Sequence, residues 1–133
     1  MSTSLLYHAF GIMGYFYQST RYIASAIVIA IKEDQWCLRC PVCRNRNVSC
    51  RGKVTRRFRT IPIGQKAVYI DLPVQRVECS ECQAVRQVKV RFADERKGYT
   101  RAFERLVLEF SRHMTIRAVA RYLGVSWDLV KEI

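Results

Sequence analysis

The chain has 133 residues, half of them hydrophobic, and its 23 Lys and Arg against 11 Asp and Glu give a formal net charge of +12. This length fits one domain or two small ones, and the charge favours a polyanionic partner, nucleic acid before membrane. The longest apolar run has ten residues (YIASAIVIAI, 22–31), whereas a bilayer-spanning helix needs roughly 20. We therefore expect no membrane partner.

Residues 1–35 form the first predicted unit, which is rich in aromatic side chains. We predict a strand or two here, packed on the segment that follows. The β-branched content of the apolar run 22–31 is typical of a buried strand. The first basic residue is Arg21, so no basic region precedes an apolar core as in a signal peptide. We expect a cytoplasmic protein whose six cysteines stay reduced and are more suited to metal than to disulfides.

Residues 36–95 are predicted to form a zinc-binding β domain. The stretch CLRCPVC (37–43) offers two overlapping C-x-x-C pairs, Cys37 with Cys40 or Cys40 with Cys43, and a further pair, Cys79 with Cys82, follows. A proline directly after the first ligand fixes φ in a tight knuckle, and Pro41 thus favours the second of the overlapping pairs. The roles of Cys37 and Cys50 stay open. The predicted ligands of a closed, structural, tetrahedral zinc site are Cys40, Cys43, Cys79 and Cys82.

The segment between the two cysteine pairs reads as a β-hairpin. RRFRTIPI (56–63) and AVYIDLPVQRVEC (67–79) are rich in β-formers and are separated by Gly64-Gln65-Lys66, a typical hairpin break. Pro62 and Pro73 indicate that the strands are edges or are interrupted. VKVRF (88–92) alternates apolar and basic residues and predicts a half-exposed strand.

A row of basic residues lies on the first strand of this hairpin. It belongs to a segment, 39–101, with 16 basic and 5 acidic residues. On a strand rising from a zinc knuckle, such a row can follow a phosphate backbone; the alternative is an ordinary solvated face. The predicted phosphate contacts are Arg51, Lys53, Arg56, Arg57 and Arg59.

Residues 96–133 change to a helical period. Apolar residues at 103, 106, 107 and 110 predict an amphipathic helix with Thr100 as its N-cap. TIRAVARYLGVSWDLVKEI (115–133) fits a helix-turn-helix, with Ala120 where two helices approach closely and Gly124 where the turn needs positive φ. Thr115 and Ser126 are the expected N-caps. An ordinary helical hairpin would share the apolar spacing without needing that alanine and that glycine.

The second helix of this motif would present polar side chains to base edges in a major groove. The expected exposed face includes two acids, Asp128 and Glu132, so much of the affinity must come from elsewhere. The first helix offers Arg117 and Arg121 for that purpose. The predicted base contacts are Ser126, Trp127 and Lys131.

These motifs together resemble the N-terminal region of transposases of the ISL3 insertion-sequence family. The resemblance runs from about Tyr7 to the last residue and rests on YHAFGI, CPVC, RRFRTIPIGQKAVYIDLPVQRVECSEC, VKVRFAD and YTRAFERLVLEFSRHMTIRAVARYLGVSWDLVKEI. The family pattern matches the four cysteines already singled out as ligands. Arg44 and Gln83 depart from it, because a glycine often follows the second cysteine of each knuckle.

The resemblance implies a bacterial, nucleoid-associated protein that recognises the terminal inverted repeats of an element during transposition. It also implies a downstream ribonuclease-H-like domain with a DDE triad that binds magnesium. The sequence ends at Ile133, and we expect a recognition helix one or two residues short, no catalytic domain and no catalytic residues. The expected fold is α+β: a small zinc-binding β domain followed by a helical helix-turn-helix segment. An alternative is a zinc-scaffolded protein-interaction module or an inhibitor of full-length transposase, and the expected protein partners are a second copy of this chain or full-length transposase.

Overall fold

The computed structural model describes residues 3–34 and 38–133, and it has the α+β architecture that the sequence predicts. Cys37 and Trp36, which lie directly before the first knuckle, fall outside the described residues. The described elements in chain order are α1 (Thr3–Phe10), β1 (Tyr15–Ile23), β2 (Ala26–Glu33), β3 (Val48–Ile63), β4 (Lys66–Cys79), β5 (Val85–Gln87), α2 (Arg101–Ser111), α3 (Ile116–Leu123) and α4 (Trp127–Glu132).

The strands form one sheet in the order β1-β2-β4-β3. β1 pairs with β2, and β3 with β4, as antiparallel hairpins. β2 and β4 run parallel from Ala26 opposite Ala67 to Ala30 opposite Asp71. β5 pairs with β4 at 76–78, on the edge that β2 has left free. The central strand β4 thus pairs with the N-terminal hairpin on one edge and with β3 on the other.

The N-terminal region differs from its prediction in two ways. Residues 3–10 form a helix, which was not predicted; its Leu6 and Phe10 are buried against the sheet. The apolar run 22–31 is not one strand, because Ala24 adopts a left-handed φ of 53° and turns the chain between β1 and β2. Only the second half of the run is buried, while Tyr22 is 76% exposed.

The predicted hairpin is confirmed and is longer at both ends than the runs 56–63 and 67–79. Gly64, at φ 62°, makes the turn, a backbone conformation that glycine adopts without steric cost. β3 is an outer strand, as Pro62 indicated, and a register irregularity lies between Thr60 and Ile63. Pro73 lies in the central strand, beyond the end of the β2 pairing at Asp71, so its missing N–H costs no bond to β2.

The strand predicted at 88–92 is absent, and the short strand β5 precedes it. The alternation of burial is nevertheless as expected: Val88 and Phe92 are buried, whereas Lys89 and Arg91 are exposed. The segment passes over the face of the sheet that carries the core, and its Val88 amide donates to the Gln75 carbonyl at 2.9 Å. An alternating pattern of apolar and polar residues indicates that one side of a segment is buried. It does not show the backbone hydrogen bonds to a neighbouring strand that define a β-strand.

Two separate hydrophobic cores result. The first lies on one face of the sheet, covered by α1 and the 88–93 segment, and its largest fully buried side chains include Tyr15, Ile29, Phe58, Ile70 and Leu72. The second holds the three C-terminal helices together through Tyr99, Phe103, Val107, Val119, Ala120, Leu123 and Val130.

The two cores meet at the outer edge of β3. The Arg59 amide donates to the Gly98 carbonyl, and the Thr100 amide donates to the Arg59 carbonyl, both at 2.9 Å. The hydroxyl of Thr100 also donates to Thr60 Oγ1 at 3.1 Å, and both threonines are fully buried. Since Thr100 is also the N-cap of α2, the first helix starts directly on the sheet edge.

Candidate metal centre and nucleic-acid interface

The hairpin brings the two cysteine pairs together. Cys40 and Cys43 lie just before β3, and Cys79 ends β4, so the pairing of Val48 with Cys79 closes the distance between them. The 35 residues that separate Cys43 from Cys79 are therefore bridged by the return of the chain, as the sequence predicts. Cys50 lies exposed in β3 and is not part of the cluster.

The four sulfur atoms lie within 4.8 Å of one another. Cys40 Sγ and Cys82 Sγ are 3.5 Å apart, and Cys43 Sγ and Cys79 Sγ are 3.4 Å apart. Zinc–sulfur bonds of about 2.3 Å in a tetrahedron place the sulfurs about 3.8 Å from one another. The cluster thus fits a single zinc ion. Within the described ranges it is the only group of three or more metal-ligating side chains that converge in this way.

Backbone amides stabilise the thiolate form of the first cysteine in each knuckle. The amides of Val42 and Glu81 donate to Cys40 Sγ and Cys79 Sγ, each at 3.4 Å. The amide of Cys43, with a smaller contribution from that of Val42, outweighs the opposing effect of burial and lowers the pKa of Cys40 to about 6. The amide of Cys82 acts in the same way to lower the pKa of the Cys79 thiol. Because thiolates are the form that binds zinc, these amides favour metal binding by Cys40 and Cys79.

The two knuckles repeat the same backbone geometry. The Cys40 amide donates to the Asn45 carbonyl, and the Cys79 amide to the Ala84 carbonyl, each at 3.0 Å. The residue after the second cysteine is left-handed in both, with φ 63° at Arg44 and 58° at Gln83. These are the two positions where a glycine often stands, so the turn is kept here at the cost of backbone strain.

Basic side chains surround the first knuckle. A cavity of about 410 Å³ beside Cys40 and Pro41 is lined by Arg39, Arg44, Lys89 and Arg91. Four thiolates and one zinc ion carry a charge of about −2, which these cations offset. Glu33 lies in the same cavity, 3.7 Å from Arg91, and its burial raises the pKa of its carboxyl to about 7.

The predicted basic row of β3 does not lie on one face. Arg51 and Lys53 are exposed, and Arg51 forms an ion pair with Glu78. Arg57 binds the buried Asp71 with two hydrogen bonds, of 2.7 and 3.0 Å. Because successive side chains of a strand point to opposite faces, Arg56 lies on the other side, with its guanidinium 4.8 Å from the Phe58 ring centroid.

Arg59, the last cation of the predicted row, is buried instead of facing solvent. The residue is only 8% exposed; Arg59 Nη2 donates to the Leu123 carbonyl at 2.8 Å, and the guanidinium lies 5.2 Å from the Phe103 ring centroid. The positive charge of Arg59 therefore interacts with the last carbonyl of α3, inside the protein. Sequence alone showed five cations in a row and could not show that the helices cover one of them.

The helix-turn-helix geometry agrees with the sequence in detail. Thr115 Oγ1 accepts from the Ala118 amide and Ser126 Oγ accepts from the Leu129 amide, as N-caps do. Gly124 ends α3 in the left-handed region with φ 66°. Val119, Ala120, Leu123 and Val130 are buried in the second core, and Val125 and Ile133 pack against it.

The outer face of α4 presents the predicted reading residues. Ser126, Trp127 and Lys131 are exposed, and Lys131 Nζ lies 4.3 Å from the Trp127 ring centroid. Glu132 forms an ion pair with Lys97, on the loop before α2, so one of the two acids on this face is neutralised. Arg117 and Arg121 are exposed on α3.

Sequence reasoning missed a second basic group, which lies outside the predicted row of β3. Its members are scattered over β4, β5 and the loop that follows, and no short run marks them. The only available signal was the basic excess of residues 39–101. These exposed residues are Arg76, Arg86, Lys89 and Arg96.

No helix in the described part of the chain is long and apolar enough to cross a membrane. Comparisons with known families find two matches. Residues 38–82 match the zinc-finger of transposase IS204/IS1001/IS1096/IS1165, and residues 88–133 match the helix-turn-helix domain of transposase family ISL3. Searches of curated proteins and of solved structures give no significant match.

Proposed function

The chain carries the zinc-ribbon and helix-turn-helix domains of the ISL3 transposase family, and from this premise we propose that it recognises the terminal inverted repeats of an insertion sequence. The observation that carries the proposal is the arrangement of α3 and α4, whose caps, left-handed Gly124 and exposed second helix are those of a DNA-reading motif. The partner is double-stranded DNA at the transposon ends, in the cytoplasm of a bacterium.

The proposed metal is one structural zinc ion bound by Cys40, Cys43, Cys79 and Cys82. The support is the tetrahedral fit of the four sulfurs and the amides aimed at two of them. Bound zinc cross-links the start of β3 to the end of β4. Four protein ligands leave no open coordination position for catalysis.

Affinity and selectivity are proposed to come from different elements. Exposed cations of β3 and α3, among them Lys53, Arg57, Arg117 and Arg121, supply phosphate contacts that position the protein. Ser126, Trp127 and Lys131 meet base edges. We assign the magnesium-dependent chemistry on DNA strands to the catalytic domain of the family and not to the two domains described here.

A titration against terminal-repeat and scrambled duplexes over a series of salt concentrations tests this proposal. Changing Lys131→Ala should cost about 1–3 kcal/mol for the terminal repeat and much less for the scrambled duplex. Changing Arg117→Gln should weaken both duplexes alike and lower the log–log salt slope by about 0.9. Equal affinity of the unchanged protein for both duplexes would refute terminal-repeat recognition.

The second candidate function, a protein-interaction module acting on transposase, has one observation in its favour. Tyr7, Met13 and Tyr22 are 51%, 63% and 76% exposed in the N-terminal region, away from the helix-turn-helix. DNA binding that does not depend on salt, together with salt-resistant binding to a transposase, would favour this candidate over the first.

A further inference from the structure

An open groove of about 720 Å³ lies between the first zinc knuckle and the loop before α2. Pro41 and Val42 of the knuckle form one wall, and the loop 93–96 forms another. Many of the lining residues are basic, and they come from β3, β4, β5, the segment that follows β5 and the first turn of α2. These basic residues are Arg56, Arg76, Arg86, Lys89, Arg96 and Arg101.

Most of this positive charge is not neutralised within the protein. The groove contains two acids, Asp94 and Glu95, and Arg101 Nε binds Asp94 at 2.9 Å. Five cations of the groove have no carboxylate partner in the described part of the chain, and they are Arg56, Arg76, Arg86, Lys89 and Arg96. Unpaired cations that line a concave surface focus positive potential there.

The groove and the recognition helix are linked through the loop before α2. Its loop residue Arg96 directly precedes Lys97, which forms the ion pair with Glu132 of α4. Arg56, on the groove floor, has its Nη2 3.4 Å from the Lys97 carbonyl. A ligand bound along α4 that extends past Glu132 would thus reach this loop, whose residues 93–96 line the groove.

We propose that this groove binds the phosphate backbone of duplex DNA that flanks the site read by α4. The inference rests on the proposed function and extends it: in addition to the cations of β3, those of β4, of β5 and of the segment that follows β5 contact the flanking DNA. Guanidinium groups suit this role because their donors match phosphate oxygens in pairs. The contact is sequence-independent and steers register.

The test compares two double variants that remove the same charge. Arg76→Gln with Arg86→Gln changes the groove, and Lys32→Gln with Lys66→Gln changes exposed sites on β2 and at the hairpin turn. Each zinc-loaded protein is titrated over a salt series against duplexes of about one and about three helical turns, at about 10 base pairs per turn. Zinc stoichiometry and circular dichroism check that each variant is folded; Arg86→Gln alone replaces the double variant if it is not.

On the long duplex we expect the groove variant to lose about 2 from the log–log salt slope, since each phosphate contact contributes about 0.9. The control variant should keep the slope of the unchanged protein, and on the short duplex all three slopes should agree. Three results would each overturn the proposed contact between the groove and flanking DNA. They are equal slopes of the groove variant and the unchanged protein on the long duplex, an equal loss of slope in the control variant, and an equal loss of slope on the short duplex. If the unchanged protein binds no duplex, the proposed function fails instead.

Discussion

At the scale of single residues, each knuckle contains one residue with a left-handed backbone conformation that its side chain disfavours. Arg44 and Gln83 both have positive φ, which costs a residue with a β-carbon about 1–2 kcal/mol. Both follow the second cysteine of a pair, where the chain must turn away from the sulfurs. The turn therefore requires this conformation, although neither residue type prefers it.

We predict that Gln83→Gly stabilises the zinc-loaded protein by about 0.5–1 kcal/mol, because relief of left-handed strain outweighs the added entropy of the unfolded chain. Gln87→Gly is the matched control: Gln87 is an exposed residue of β5 without positive φ. It should lose about 0.5–1 kcal/mol. Urea unfolding of the zinc-loaded variants measures both, and a loss of stability in each would contradict the strain argument.

At the scale of elements, Arg59 joins the sheet to the helices. Its main chain pairs with 98–100 at the edge of β3, and its guanidinium donates to the last carbonyl of α3. The C-terminal carbonyls of a helix have no partner within the helix, and a cation there also complements the helix dipole. One strand residue thus fixes where the helix-turn-helix begins and where its first helix ends.

We predict that Arg59→Met costs about 1–3 kcal/mol of stability, since the buried Leu123 carbonyl loses its donor. Lys53→Met, an exposed change on the same strand, should stay within about 0.5 kcal/mol. Denaturant unfolding of both variants measures the difference. The salt slope of DNA binding gives an independent check, because Arg59→Met should leave it unchanged. A drop of about 0.9 would mean that Arg59 contacts phosphate after all.

The elements that sequence reasoning found are those with a local chemical signature. Thr100, Thr115 and Ser126 cap helices because their side-chain oxygens accept from amides three residues on, and Gly124 suits a left-handed turn. Helix α1 was missed because it has eight residues and depends on burial of Leu6 and Phe10 for its stability. Short helices are marginal without such packing.

Some features of the candidate site can likewise be predicted from local sequence, and others cannot. The four clustered cysteines follow from spacing and from a hairpin between them, both visible in the sequence. The burial of Arg59 and the groove around Arg76 and Arg86 depend on pairings between segments far apart in the chain, such as β2 with β4 and residues 98–100 with β3. A count of charged residues in the sequence does not show on which face of the sheet each cation lies.

At the scale of the whole molecule, the metal cluster is at one end of a sheet whose core lies elsewhere. Val68, Ile70 and Leu72 of β4 are fully buried, and on both sides of this stretch the strand is paired, with β2 and with β3. This core also includes α1 and the N-terminal hairpin. A free-standing zinc ribbon has no such support and depends on its metal to fold.

We therefore predict that zinc removal frays the knuckle end and does not unfold the chain. After chelation, amide exchange should become fast at Cys40, Cys79 and the β5 pairing, while the amides of Val68 and Ile70 stay protected. Far-ultraviolet circular dichroism should retain its helical signal from the second core. Hydrogen exchange with and without chelator measures this, and loss of protection throughout β4 would contradict it.

The parallel pairing of β2 with β4 has a consequence for biosynthesis. β2 leaves the ribosome well before β4, because the first knuckle and all of β3 lie between them in the chain. Its Ile27, Ile29 and Ile31, which are buried in the finished protein, stay uncovered on the nascent chain until the hairpin has been synthesised. Pairing across such a sequence distance closes late in folding, and an uncovered apolar strand is prone to aggregate. The rate of translation across residues 34–66 thus sets how long this strand waits for its partner β4.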